Sequence, residues 1–267
     1  MNLAAKAATI GYAASGALLN PTRQGHFYST LQLLILILDL VAAVGELTSM
    51  YPTTVFLDRL RDRMLATASG RRILRHRPII HSSTIDLDHL RQLPSHTFGR
   101  AYVHFLDHEH VSPDTRTPIR FIDMPSDTTT NGTSPVDVHA LSERAYVMLR
   151  YRQTHDFMHA LTGLPTTLTG ELALKWFEFE QTGLPMPFFS GLLGPLRLLT
   201  PFRFKEISVS ANDQETWPIY WQVYLPWAMQ AGNRAEFLLS VYFEEHFKED
   251  LQVMRKRLHL LPVPHLK

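Results

Sequence analysis

The sequence of 267 residues contains no cysteine. This absence excludes disulfide bonds, zinc sites made of thiolates and enzymes that use a cysteine nucleophile. Glycine is also scarce, because its 13 residues fall below the usual ~7% of a protein chain. Long segments rich in Leu, Ala, Glu and Arg fill the chain instead, and this composition favours a mostly helical protein.

An excess of charge of one sign is lacking as well. The formal net charge is +1, and no basic stripe with interleaved aromatic residues occurs. Nucleic acid is therefore not an expected partner. The chain also has no glycine-rich phosphate loop, no nucleophile elbow and no dinucleotide-binding fingerprint. These absences exclude kinases, hydrolases with a nucleophile elbow and nicotinamide-dependent enzymes.

No apolar run is long enough for a clear membrane span. The most hydrophobic run, Leu31–Gly45, is shorter than the ~20 apolar residues that a bilayer requires, and Asp39 interrupts it. We expect a buried or interfacial helix there. The residues up to Leu38 contain no Asp or Glu, as in organelle-targeting segments, but Lys6 and Arg23 are their only Lys or Arg.

The spacing of apolar residues predicts a series of helices separated by polar or proline-containing loops. The last helix is predicted from Arg234 to about Leu260, and we expect its apolar stripe to lie in the core. That stripe consists of Leu239, Phe243, Phe247, Leu251, Met254 and Leu258. Earlier helices are predicted at Val55–Leu74, Ile85–Leu90, Ser142–Leu161 and Leu168–Gln181, with another that begins at Tyr102.

The most informative segment is Thr154–His159, followed twelve residues later by Glu171. His155 and His159 stand four apart, so on a helix they lie on one face, at the spacing by which helical His pairs chelate zinc. Asp156 is rotated by about 100° from His155, so it could bind a metal at the edge of that face or orient a histidine. A glycine, a proline and several threonines follow, which predicts that Glu171 lies early in a second helix folded back on the first.

The bare spacing leaves an alternative open. A His pair with a neighbouring Asp also occurs as a surface capping or salt-bridge arrangement, and 14 histidines make one such spacing expected by chance. Apolar flanking residues support the metal site, because charged side chains next to a core need a partner. A second cluster, Asp107–His110, is interpreted as a solvated helix terminus, because successive helical residues point apart. A metal-dependent hydrolase is disfavoured, since no glutamate lies between the two histidines.

Several segments together carry a resemblance to a known family. They are Tyr151–Leu198, Gly70–Leu74, Val111–Arg116 and Leu225–Ala228. Over most of its length the chain resembles the mitochondrial ubiquinone biosynthesis protein 4 family, also called coenzyme Q biosynthesis protein 4. The metal motif of that family, His-Asp-x-x-His followed by eleven residues and Glu, falls on His155, Asp156, His159 and Glu171.

The resemblance implies an all-α fold in which residues 1–267 form a single domain, with helices packed around a metal site and an apolar, lipid-accommodating region. It implies zinc at the four motif positions, which would also be the catalytic residues. It further implies peripheral attachment to the matrix side of the mitochondrial inner membrane, in a complex with other coenzyme Q biosynthesis proteins. Relative to the family, the chain has apparent insertions near residues 24–38, 124–139 and 202–218.

The activity that the resemblance implies is removal of the C1 carboxylate from a 4-hydroxy-3-methoxy-5-polyprenylbenzoate-type head group, coupled to hydroxylation at that carbon. Two imidazoles and carboxylates leave room for substrate on a zinc ion, which could stabilise charge as carbon dioxide leaves. The same ligands suit Fe2+, and zinc is redox-silent, so hydroxylation with zinc needs a separate oxidant. A non-enzymatic lipid-binding scaffold with a structural metal fits the same ligand spacing.

The segment Pro185–Leu199 is the best candidate for contact with the lipid tail or the membrane surface. It is too apolar for a free loop and too interrupted for a span, although core packing explains it equally well. Arg197 could pair with a substrate carboxylate or a lipid phosphate. Lys175 could also contact the substrate, or it could form an intrahelical ion pair with Glu171, one turn earlier.

Overall fold

The computed structural model of the protein describes residues 53–115, 142–195 and 218–264. Within these ranges the regular structure is helical, without a strand, and one isolated bridge joins Thr97 to Asp250. The predicted all-α fold is therefore confirmed. The three predicted insertions lie outside the described residues, apart from Pro218, so the single domain over residues 1–267 stays a prediction.

Nine α-helices have both ends within the described ranges. They are α1 (Thr53–Leu65), α2 (Ala68–His76), α3 (Leu87–Gln92), α4 (Phe98–Glu109), α5 (Glu143–Thr162), α6 (Leu168–Thr182), α7 (Pro185–Leu193), α8 (Leu225–Arg234) and α9 (Leu251–Arg257). A π-helical turn, Tyr220–Tyr224, precedes α8, and short 3-10 turns form at Pro113–Thr115, Leu238–Ser240 and Phe243–Glu245. None of the described helices is both long and apolar enough to cross a membrane. The apolar run Leu31–Gly45 lies outside the described residues.

Helix α5 runs through the core of the described residues. Its first half packs with α1 and α2 in one apolar cluster, and its second half packs with α4, α6 and α8 in a larger one. Phe157 of α5 lies edge-on to Tyr102 of α4, with ring centroids 4.5 Å apart. Because most of α5 is buried, each polar side chain on this helix needs a partner in the protein or a bound group.

The predicted helix at Val55–Leu74 is in fact two helices. Thr67 stands at the break, where its hydroxyl donates to the carbonyl of Met64 at 3.1 Å and accepts from the backbone N–H of Gly70 at 2.9 Å. This N-cap starts α2, because a Thr side chain satisfies an N–H that the first helical turn leaves unpaired. The same device at Thr97 starts α4 at Phe98, four residues before the predicted Tyr102.

The predicted final helix from Arg234 to Leu260 is wrong. Helix α8 ends at Arg234, and only Leu251–Arg257 is α-helical after it. The intervening backbone pairs with residues far away in sequence: Phe98 N–H donates to the carbonyl of Glu249 at 2.9 Å, and Gly99 N–H to that of Phe247 at 2.8 Å. The carbonyls of Phe247 and Glu249 therefore bond to α4 and not to the next turn of a continuous helix. The apolar stripe was still a sound indicator of burial, since four of its residues are in the core: Leu239, Phe243, Met254 and Leu258.

Candidate metal centre

The candidate site is formed where α5 ends and α6 begins. His155 and His159 lie one turn apart near the C-terminal end of α5, which Gly163 terminates in the left-handed conformation, with φ 82°. Thr167 caps α6 by accepting from the backbone N–H of Gly170. The chain therefore reverses within a few residues and places Glu171 in the first turn of α6, as the sequence predicted.

A close approach of backbone holds this reversal in place. A Cβ atom on Gly170 would overlap the carbonyl group of Pro165, so only glycine allows the loop to pack this tightly against the start of α6. Thr166 donates a hydrogen bond from its hydroxyl to the carboxylate of Glu109, which ties the same loop to the end of α4. The position of Glu171 relative to α5 is thus fixed by contacts on both sides of the loop.

Glu171 faces both imidazoles. Its Oε1 lies 3.1 Å from Nε2 of His159, and its Oε2 lies 3.5 Å from Nε2 of His155. One ligand atom from each of the three residues lies within 4.8 Å of the other two. Among the residues that the structure describes, this is the group of His, Asp and Glu side chains that could hold a metal ion.

The remaining ring nitrogens face away from this point. Nδ1 of His159 lies 2.9 Å from the carbonyl oxygen of Leu164, and Nδ1 of His155 lies 2.5 Å from Oε1 of Glu178. A carbonyl oxygen only accepts, so Nδ1 of His159 carries a hydrogen. Both rings therefore direct Nε2 toward Glu171. Phe105 stacks on the His159 ring with centroids 4.9 Å apart, which restricts that ring further.

The site is buried on the histidine side and open on the glutamate side. The side chains of His155 and His159 are 8% and 1% exposed, whereas that of Glu171 is 34% exposed. A ligand or a cation could therefore reach the cluster along Glu171 without passing through the core. Such an open edge is what a catalytic metal site requires and a closed structural site lacks.

Burial and pairing act in opposite directions on the charged groups. Burial disfavours the imidazolium of His155 and Lys175 repels it, but Glu178 and Glu171 outweigh both, so the pKa of His155 is raised. Burial alone would raise the pKa of Glu171, but hydrogen bonds from His155 and His159 hold it well below its usual range. For Glu178, Lys175 and His155 outweigh burial and lower the pKa to about 2. Both carboxylates are thus ionised at neutral pH.

These residues fit a divalent transition-metal cation. Two imidazole nitrogens and one carboxylate converge, and each imidazole already has an acceptor for its other nitrogen. This is the arrangement found around metal-bound histidines, where a second group fixes the ring and its tautomer. The donor set of two His and one carboxylate is compatible with zinc and with iron.

Three of the four predicted ligands are brought together, and the fourth is placed beside them. Asp156 is buried on α5 but does not belong to the converging group, so its role as a ligand stays a prediction. Lys175 does form an intrahelical ion pair, but with Glu178 at 2.8 Å rather than with Glu171. Arg197 lies outside the described residues.

Glu178 was not predicted from the sequence. This residue is fully buried, and it contacts His155 directly. A signal was present, because Glu178 follows Glu171 by seven residues and so lies on the same face of α6, with Lys175 between them. That spacing indicates a polar stripe directed at α5 on a helix that is otherwise largely apolar.

The predicted lipid-contacting segment is helical in its described part. Helix α7 packs on α6, and Phe188 lies against the rings of Trp176 and Phe179 at 5.8 and 5.1 Å between centroids. This face is core packing, which was the alternative interpretation. Leu192 on α7 is nevertheless 46% exposed.

The chain matches the family described as "Coenzyme Q (ubiquinone) biosynthesis protein Coq4" over residues 2–264. It is 40% identical over 230 residues to "Ubiquinone biosynthesis protein coq4, mitochondrial" of Schizosaccharomyces japonicus (strain yFS275 / FY16936), covering 85% of this chain and 81% of that protein. It is 41% identical over 226 residues to "Ubiquinone biosynthesis protein COQ4 homolog, mitochondrial" of Bos taurus, covering 85% and 72%.

A crystal structure of a protein from Nostoc punctiforme PCC 73102 matches with a TM-score of 0.55 over 93% of this chain and 95% of that chain. At 15% identity this match supports the fold alone. The sequence matches are much stronger, since they combine about two fifths identity with most of the length of both proteins. They confirm the resemblance drawn from the motifs. The chain belongs to the coenzyme Q (ubiquinone) biosynthesis protein Coq4 family, and its role lies in ubiquinone biosynthesis.

Proposed function

We propose that the protein removes the C1 carboxylate of a 4-hydroxy-3-methoxy-5-polyprenylbenzoate-type head group, in a metal-dependent reaction coupled to hydroxylation at that carbon. The observation that carries this proposal is the convergence of His155, His159 and Glu171 around one point with an open edge. The family role in ubiquinone biosynthesis supplies the substrate class.

The chain's own residues have distinct roles in this proposal. His155 and His159 would bind the cation through Nε2, and Glu171 would bind it through a carboxylate oxygen at the solvent-facing edge. When bound, the zinc ion, or Fe2+ as the alternative, would supply a Lewis acid that stabilises negative charge on the substrate. Asp156 is proposed to assist from the same turn of α5, as a ligand or by orienting a histidine.

The substrate is proposed to approach along Glu171. Lys175 lies one turn further along α6 with its side chain 20% exposed, so its ammonium adds positive charge close to an incoming carboxylate. Arg197, which follows α7 in the sequence, is proposed as a second substrate-binding residue. Replacement of the carboxylate by a hydroxyl is a two-electron oxidation. As carbon dioxide leaves, the hydroxyl oxygen must come from a two-electron oxidant, either a peroxide or dioxygen together with two electrons and two protons. With redox-silent zinc, that oxidant must act from outside the metal site.

We further propose that the protein is attached peripherally to the matrix side of the mitochondrial inner membrane, in a complex with other coenzyme Q biosynthesis proteins. Relatives carry the word mitochondrial in their names. Exposed apolar side chains on α7, the π-helical turn and α8 supply surface that could meet lipid or a partner. They are Leu192, Trp221 and Met229.

The test is the release of labelled carbon dioxide from a short-chain substrate analogue carrying label in its carboxyl group. Purified wild-type protein loaded with Zn2+ or Fe2+ and supplied with oxidant is expected to release label, and His155→Ala and Glu171→Gln are expected to lose that release. Glu180→Gln is the matched control, since it removes a carboxylate from the same helix outside the site. Lipid binding and complex assembly without any release would replace the enzyme with the alternative, a non-enzymatic lipid-binding scaffold.

A further inference from the structure

We infer that Glu178 is a positioning residue of this centre, which holds His155 in the orientation and tautomer that a bound cation requires. The inference rests on the proposed function, because it assigns a role at the same site. It concerns a residue outside the metal motif, and the contacts of one buried carboxylate support it.

The carboxylate of Glu178 is fully buried and has a partner for each oxygen. Oε1 lies 2.5 Å from Nδ1 of His155. Oε2 accepts from the hydroxyl of Tyr151 at 2.8 Å and from Nζ of Lys175 at 2.8 Å. With both oxygens bound, the group cannot turn without breaking a hydrogen bond to α5 or to its own helix.

This arrangement determines which nitrogen of His155 is available. An ionised carboxylate has no hydrogen to donate, so it keeps a hydrogen on Nδ1 of His155. In the neutral ring, the lone pair then lies on Nε2, which faces Glu171. A carboxylate in this position also makes the imidazole a stronger donor to a metal.

His159 shows the same design with a weaker acceptor. Its Nδ1–H donates to the carbonyl oxygen of Leu164. A neutral carbonyl group therefore holds the ring of His159, whereas a charged carboxylate holds the ring of His155. The two rings stand nearly perpendicular, at 86°, with centroids 4.8 Å apart. With each ring held by its own partner, both Nε2 atoms face the carboxylate of Glu171.

The carboxylate of Glu178 meets three polar groups at once, on His155, Tyr151 and Lys175. Leu174 and Phe177, which precede Glu178 on α6, are buried apolar residues. A buried carboxylate costs free energy that an apolar side chain of similar size would avoid. An apolar side chain would leave all three polar groups without this acceptor, and the contact with Nδ1 of His155 is the one that bears on the metal centre.

The test measures Zn2+ affinity of metal-free protein by competition with a chelating dye. Glu178→Ala is expected to bind Zn2+ about 10 to 100 times more weakly than wild type. Glu178→Gln keeps an oxygen acceptor but loses the charge, so its affinity is expected to fall less. Glu180→Gln is the control for removing a carboxylate from α6, and its affinity is expected to be unchanged.

A second measurement separates positioning from general loss of structure. The second measurement is NMR of the zinc-loaded protein with nitrogen-15-labelled histidine. The chemical shift of the Nδ1–H group of His155 is expected to change strongly in Glu178→Ala and Glu178→Gln, whereas that of His159 is expected to stay the same. If Glu178→Ala does not fold, Glu178→Gln carries the test.

Wild-type affinity in both Glu178 variants, while His155→Ala loses Zn2+, would overturn the inference and leave the metal centre standing. Wild-type affinity in His155→Ala would remove the metal centre itself, and the role of Glu178 with it.

Discussion

Two buried ionic groups lie on the same helix, and they differ in how their charges are paired and in how exposed they are. The first is Arg150, whose side chain is 0% exposed and which meets both carboxylate oxygens of Glu244 and the carbonyl of Val241. The second is the centre around His155, a turn and a half further along α5. There, one carboxylate faces two imidazoles and is one-third exposed.

The difference separates a structural pair from a binding site. Arg150 and Glu244 neutralise each other, and they attach α5 to the 3-10 turn Phe243–Glu245. In the other group the imidazole Nε2 atoms converge, and the cluster reaches the surface. We therefore expect loss of Arg150 to affect folding first, and loss of a centre residue to affect cation binding first.

The largest effect is expected from Arg150→Ala. It leaves the carboxylate of Glu244 without its buried partner, so the free energy of unfolding should fall by about 3–5 kcal/mol in urea denaturation. Arg72→Ala is the matched control, because Arg72 and Glu245 form an ion pair with both side chains nearly half exposed. That control should cost less than about 1 kcal/mol. Equal losses in both variants would contradict the distinction.

Metal removal should have the next largest effect. A cation that binds only the folded protein stabilises it by about 2.7 kcal/mol at a free concentration of 100 times Kd. Chelation of zinc-loaded wild-type protein should lower the free energy of unfolding by this amount, whereas chelation should leave His159→Ala unchanged. Glu244→Gln should keep the response to zinc, because Glu244 lies outside the centre. No change in wild-type stability on chelation would argue against a folded-state metal site.

Gly170→Ala should be destabilising, although the same change in an ordinary helix interior stabilises by about 0.5–1 kcal/mol. The new methyl group would overlap the Pro165 carbonyl, and overpacking of this kind costs about 1–3 kcal/mol. Because the same contact places Glu171, Zn2+ affinity should fall together with stability. Thermal unfolding and dye competition measure the two effects, and an increase in stability would show that the loop can move aside.

Asp156→Asn should have the smallest effect on the centre. Its carboxylate lies outside the converging group, so we expect Zn2+ affinity to fall by about tenfold, as for residues that act behind a ligand. Glu171→Gln should reduce affinity considerably more in the same dye competition. Complete loss of Zn2+ binding in Asp156→Asn would instead place Asp156 among the ligands, as the family motif implies.

Local signals in the sequence were enough for the reversal between α5 and α6. The His pair, Gly163 and the capping Thr167 act within a few residues, so the position of Glu171 followed from helix periodicity and turn chemistry. The apolar stripe of the C-terminal segment likewise identified core residues correctly.

Contacts between distant residues were beyond the reach of those signals. The pairing of Glu178 with His155 depends on the register of α6 against α5, which helix periodicity alone does not define. Backbone carbonyls of the C-terminal segment accept hydrogen bonds from Phe98 and Gly99, about 150 residues earlier, instead of pairing within a helix. The helical pattern of apolar residues in this segment was therefore misleading. Arg150 and Glu244 are 94 positions apart, and nothing near either residue indicates the other.

The loop between α5 and α6, from Gly163 to Thr167, fixes the spacing between the His pair and Glu171. Each of its five residues has a specific contact. Gly163 ends α5, the carbonyl of Leu164 accepts from His159, and Pro165 packs on Gly170. Thr166 donates to Glu109, and Thr167 caps the start of α6. Inserting or deleting one residue in this loop would break at least one of these contacts and would shift Glu171 relative to both imidazoles. The eleven-residue interval before Glu171 is therefore part of the cation-binding geometry, because these contacts fix where α6 begins relative to α5.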